Sequence, residues 1–187
     1  MGQSFVLDLY LGEKMANTYT IAATGVSFAA NKSMIGIFNG SGSGQIIRVY
    51  RIWLLNNQTV AVTGVMTNIE LRRLTAGSGG NAITPTKHAT ANPSLPAQVI
   101  TASAMTVTES DLLRRFIWST DEPVANATAT IDELETLPVF GTIWDTGYAD
   151  ANVEPLVLRE GQGISVKNIG ATVGIVDAFI EFTSGAS

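Results

Sequence analysis

The sequence predicts an all-β chain folded as a jelly-roll β-sandwich, with an extended N-terminal arm and one long Gly/Pro-rich loop. Three observations carry that expectation. Apolar residues recur with a period of two, and no stretch sustains a helical period. Clusters of Gly, Asn, Asp, Ser and Pro separate roughly nine or ten such runs. Some connections are long excursions, which favours strands wound around one another over a simple meander. The 187 residues suit a single domain. We place it at residues 19–187, after an arm at residues 1–18.

In the arm, Phe5, Leu7, Leu9 and Leu11 share one face of an extended segment, opposite Asp8 and Tyr10, and Gly12 to Lys14 break the pattern. Such a segment can add a strand to another chain. Strand-like runs follow at 19–28 and 34–38. The glycine-rich segment 39–44 cannot continue a strand and is read as a turn. Residues 46–55 form the longest apolar run and carry Arg48 and Arg51, and 65–72 alternates cleanly. Asn56, Asn57 and Gln58 between these two runs have hairpin chemistry, so the runs are expected to pair. The excursion at 75–96 holds three prolines and Gly77, Gly79 and Gly80. Strands are expected at 99–107, 112–118 and 137–144, with a short acidic helix at 130–137 behind Thr130 as N-cap. The last third gives strands at 156–158, 164–166 and 173–182. In the final one, Val176, Ala178, Ile180 and Phe182 take one face, and Asp177 and Glu181 the other.

Charge is sparse and split. Charged residues make up 14% of the chain, where about 25% is usual, so the surface suits assembly. Residues 1–93 hold 7 basic and 3 acidic side chains, while residues 94–187 hold 4 and 13, for a net charge of −5. Bulk basicity of the kind that binds nucleic acid is absent. The acidic loops can stay solvated, or can face Arg48, Arg51, Arg72 and Arg73 of a neighbouring copy. No apolar run approaches a membrane span, and the first residues lack a signal peptide's basic start, so no membrane partner is expected.

Catalytic and metal chemistry find little support. With no cysteine, thiolate zinc sites, disulfides and Cys nucleophiles are excluded. The single histidine, His88, lies in the long loop with no nucleophile elbow elsewhere. Asp145, Asp150 and Glu154 offer hard oxygen ligands at a spacing unlike the regular calcium loop. The pairs Asp121–Glu122 and Asp132–Glu133 have nothing to single them out for glycoside hydrolysis. Segment 40–44 lacks the Lys of a phosphate loop. Trp53, Trp118 and Trp144 read as core residues; exposed together, they would instead make a sugar platform. No enzyme activity and no cofactor are expected.

The run PLVLREGQGISVKN at 155–168, followed by 173–183, resembles the closing strands of jelly-roll proteins in tailed-bacteriophage virions, among them capsid decoration (cement) and minor capsid proteins. That resemblance implies a non-enzymatic virion structural protein, made in the host cytoplasm. It would bind a major capsid protein on the outer capsid surface and stabilise capsomer contacts, typically as a homotrimer. The candidate interface residues are Phe5, Leu7, Leu9, Leu11, Arg48 and Arg51. The alternative from another class is a carbohydrate-binding or receptor-binding β-sandwich module.

Overall fold

The computed structural model describes residues 17–57, 66–119, 140–146, 154–171 and 174–186, and every regular element among them is a β-strand. In chain order these are β1 (Asn17–Phe28), β2 (Lys32–Asn39), β3 (Gln45–Asn56), β4 (Met66–Ser78), β5 (Asn81–Ala82) and β6 (Thr86–Lys87). Then come β7 (Val99–Ser103), β8 (Thr106–Ser119), β9 (Phe140–Asp145), β10 (Leu156–Leu158), β11 (Gln162–Asn168) and β12 (Gly174–Ala186). The arm residues Phe5, Leu7, Leu9 and Leu11 and the expected helix at 130–137 lie outside the described residues.

The strands form two antiparallel sheets packed as a β-sandwich. The first runs β10-β3-β12-β1-β6, with β9 continuing the β10 edge along β3. The second runs β5-β7-β2-β11-β4-β8. Pairing is nested: β1 bonds to β12, β2 to β11, β3 to β9 and β10, and β4 to β8. Period-two alternation turns one row of each strand toward the opposite sheet. From the first sheet, Val176, Ala178, Ile180 and Phe182 are fully buried, with Phe182 stacked on Tyr19 at 5.5 Å. From the second, Ile37, Ile69, Leu71, Ile164 and Val166 meet them. Each of these side chains except Ala178 contributes about 1.5–3 kcal/mol on burial.

Two local expectations are corrected. The runs flanking Asn56 to Gln58 do not pair, because β3 belongs to the first sheet and β4 to the second. Turn propensity is local and worth little beside the buried face that β3 shares with β12 over eleven paired residues, Gln45 to Asn56. The run 99–107 is not one strand either. It breaks between β7 and β8 at Ala104, whose φ of 52° lies in the left-handed region and turns the chain.

The excursion between β4 and β8 begins four residues later than expected, after Ser78. It has its own structure. β7 and β5 extend the second sheet beyond β2, while β6 bonds to β1 in the first. β7 thus covers the second half of β2's edge, while β6 covers only Tyr19 and Thr20 of β1's edge. The Tyr19 hydroxyl donates to the Pro93 carbonyl at 2.8 Å, and Asn92 Nδ2 to the Thr18 carbonyl at 3.0 Å, pinning the loop down. Burial raises the Tyr19 phenol above its ordinary pKa, which keeps it a donor. A cavity of about 410 Å³ remains under the loop, lined by Ile83, Leu95, Pro96 and Val99 among others.

The β4–β8 hairpin curls over the outer face of the second sheet. In hydrogen-bond order, β7 and β8 lie four strand spacings apart, roughly 19 Å in a flat sheet. Only Ala104 and Met105 join them, and three peptide steps reach at most about 11 Å. Three register irregularities along β4–β8 provide the bend. The contacts agree. A Cβ on Gly77 of β4 would come within 2.9 Å of Phe38 Cβ on β2, although β11 separates the two strands. The curl encloses a second small core of Leu74, Ala102 and Met105 against Phe38, Ile100 and Val107. It also gathers a charge network on that outer face. Glu70, 1% exposed, accepts from Arg72 Nε at 2.5 Å and Arg115 Nε at 2.7 Å, and Lys167 sits 2.9 Å from Glu109.

Candidate functional site

The four arginines that the sequence offers to a neighbour separate into two kinds. Arg51 and Arg72 are engaged within their own chain. Arg51 Nε donates to Asp145 at 3.1 Å and its Nη1 lies 3.7 Å from Glu181, because β9, β3 and β12 bring those three positions into one row. Arg72 belongs to the Glu70 network, which holds its guanidinium above its ordinary pKa mainly through the hydrogen bond to Glu70. Arg48 and Arg73 instead meet at a cleft, where Arg159 joins them.

Each wall of the cleft follows from strand geometry. Ile46, Arg48 and Tyr50 alternate with the buried Ile47 and Val49, so they stand on the outer face of the first sheet. Val157 of the edge strand β10 pairs beside Arg48. Arg73 arrives from the second sheet. It continues the inward row of Ile69 and Leu71, opposite Ile164 of β11, and its Nη1 donates to the Val157 carbonyl at 2.8 Å. That bond ties the two sheets together. Arg159 follows β10 directly, in a turn closed by the Gln162 N–H donating to the Arg159 carbonyl at 3.0 Å and opened to the left-handed region at Gly161.

The cleft encloses about 670 Å³, with Glu154, Pro155 and Gln162 completing its lining. None of the ion pairs among the described residues uses Arg48, Arg73 or Arg159. The carboxylate beside Arg159 is committed elsewhere. Glu160 accepts from the Gly42 and Gly44 N–H groups at 3.0 and 2.7 Å, and these two bonds hold its pKa below the ordinary value. Three cations and one carboxylate, Glu154, therefore line one concavity on a chain of net charge −5. Guanidinium groups in such a site bind carboxylates or phosphates by paired N–H donors.

The other sequence candidates disperse. His88 is exposed, with Nε2 2.8 Å from Thr20 Oγ1. Asp145 is bound to Arg51, Glu154 lines the cleft, and Asp150 lies outside the described residues. No group of three metal-ligating side chains occurs among the described residues. Trp118 is core, 3% exposed, but Trp53 is not. It stands on the outer face of the first sheet, stacked on Phe179 at 5.2 Å and 15°. Trp144 packs against the core edge with the Arg114 guanidinium 5.5 Å from its ring centroid. No protein family, no curated protein and no solved structure matches this chain.

Proposed function

We propose that this chain is a non-enzymatic virion structural protein of the capsid decoration (cement) kind, a jelly roll that binds the outer capsid surface. The observation that carries the reading is the nested pairing of β1 with β12, β2 with β11, β3 with β9 and β10, and β4 with β8. That is the order of a long hairpin wound into two sheets, as a jelly roll requires. The run from Pro155 to Asn168 that resembles virion proteins supplies β10 and β11, and β12 follows it, so two of the three occupy interior positions of the two sheets. Exposed apolar side chains support a role in assembly. Met66 and Ile117, 56% and 66% exposed, are diagonal neighbours on the outer face of β4–β8.

The test is direct. An antibody raised against the chain should detect it at many copies in purified virions, and light scattering should give a mass near three times 19.8 kDa. Absence from virions of a phage that expresses the chain refutes the reading. A second reading, a carbohydrate-binding or receptor-binding module, is favoured by one feature, the half-buried Trp53 beside Phe179 with Arg51, Asp145 and Glu181 on the same face. Glycan binding at that face would quench tryptophan fluorescence, and Trp53→Phe would abolish the change.

A further inference from the structure

We propose that the arginine cleft is a docking site for the carboxylate-rich stretch 121–135 of a second copy of this chain. Arg48, Arg73 and Arg159 bring three like charges into one concavity against the single carboxylate of Glu154, an excess that an entering anion offsets. The nearest carboxylate in sequence, Glu160, is bound to Gly42 and Gly44 and does not neutralise them.

The occupant follows from complementarity. Asp121, Glu122, Asp132, Glu133 and Glu135 lie in a stretch without a single basic residue, and no Lys or Arg occurs between Arg115 and Arg159. Ile131 and Leu134 interleave with those carboxylates. The cleft offers a matching mixture, with Ile46, Tyr50, Pro155 and Val157 lining it alongside the three arginines. A peptide that carries both acid and apolar side chains fits such a surface better than a small inorganic anion, which would use the charges alone. Charge on the two partners would also speed their encounter and make the contact sensitive to salt.

The full-length chain should be studied by sedimentation and light scattering over a wide concentration range. We expect a mass above the 19.8 kDa monomer that falls toward it on dilution and in about 1 M salt, where screening acts within about 3 Å. Arg48→Glu with Arg159→Glu should weaken association at least tenfold, as should Asp132→Lys with Glu133→Lys and Glu135→Lys. An equimolar mixture of the two charge-reversed proteins should recover the heavier species, and unchanged far-UV circular dichroism confirms that both are folded. Three results overturn the inference. They are a wild-type monomer at every concentration, an assembly unaffected by reversing the arginines, and a mixture that stays monomeric. The inference stands apart from the virion reading, since a monomeric chain found in virions would refute the first and leave the second in place.

Discussion

Replacing Gly77 with alanine probes the curl of the β4–β8 hairpin over the second sheet. The added Cβ would sit 2.8 Å from Met105 Sδ, 2.9 Å from Phe38 Cβ and 3.1 Å from Phe38 Cγ, where carbon contacts ordinarily lie at about 3.5–4.0 Å. Met105 can swing away, but Phe38 Cβ is fixed to the backbone of β2, so the hairpin itself must lift. Overpacking of this kind costs about 1–3 kcal/mol. Alanine recovers roughly 0.5–1 kcal/mol by restricting the unfolded chain. The net loss should be about 1–2 kcal/mol, or a fall in Tm of about 2–8 °C for a chain of this length. Gly185 in β12 is the matched control, because nothing lies within 4 Å of its Cβ position, and Gly185→Ala should be neutral or slightly stabilising. In a Met105→Ala background the cost of Gly77→Ala should shrink without vanishing, since the Phe38 contact remains. Urea unfolding followed by circular dichroism, with unchanged m values, measures all four variants. If Gly77→Ala proves as stable as Gly185→Ala, the hairpin does not rest on Phe38 and the curl is wrong.

Other outcomes follow from the same geometry. Asn39 is fully buried at the end of β2, where Nδ2 donates to the Gln45 and Leu158 carbonyls and Oδ1 accepts from Ser43. Asn39→Ala strands those groups and should cost about 2–4 kcal/mol in urea unfolding, at about 1–3 kcal/mol for each group left unpaired with partial rehydration. Phe182→Ala, at a site with no solvent exposure, should cost about 3–5 kcal/mol, and a loss below about 1 kcal/mol would contradict its place in the core. Acid should destabilise the protein through two carboxylates. Glu160 is held below its ordinary 4.5 by the Gly42 and Gly44 N–H groups. Burial alone would raise Glu70, but hydrogen bonds and charge from Arg72 and Arg115 together bring it below 4.5. Both lose protons more readily folded than unfolded, so their contribution is complete above pH 4.5 and disappears as pH falls through the lower folded values. Glu160→Gln should flatten that acid limb in a thermal-melt series, and an unchanged slope would contradict the Gly42–Gly44 contact.

Alternation along the chain already displayed the strands and their inner faces. The row Val176, Ala178, Ile180 and Phe182 was legible because a period of two places every second side chain on one side, and burial then selects the apolar side. The turn at 39–44 was equally plain, since glycine supplies the left-handed φ at Gly42 and Gly44. The hairpin expected at Asn56 to Gln58 failed for the converse reason. Its signal came from three residues, whereas the choice of partner for β3 rests on the whole buried face of β12, more than a hundred residues downstream.

The candidate site shows the same division more sharply. Arg48 and Arg51 are three residues apart and look alike in sequence, yet the bulge opposite Glu181 and Phe182 and the pairing with β9 put Arg51 among Asp145 and Glu181. Arg48 faces the cleft instead. Arg73 and Arg159 join it from 25 and 111 positions further along the chain only because nested pairing sets the end of β4 beside the edge strand β10. The sequence alone therefore determined that this protein is a β-sandwich, with which faces inward and where it turns, because those depend on the order of side chains along one strand. Which strands are neighbours, and hence which charges stand alone, was decided only in three dimensions, because pairing maximises burial between segments that the sequence keeps far apart.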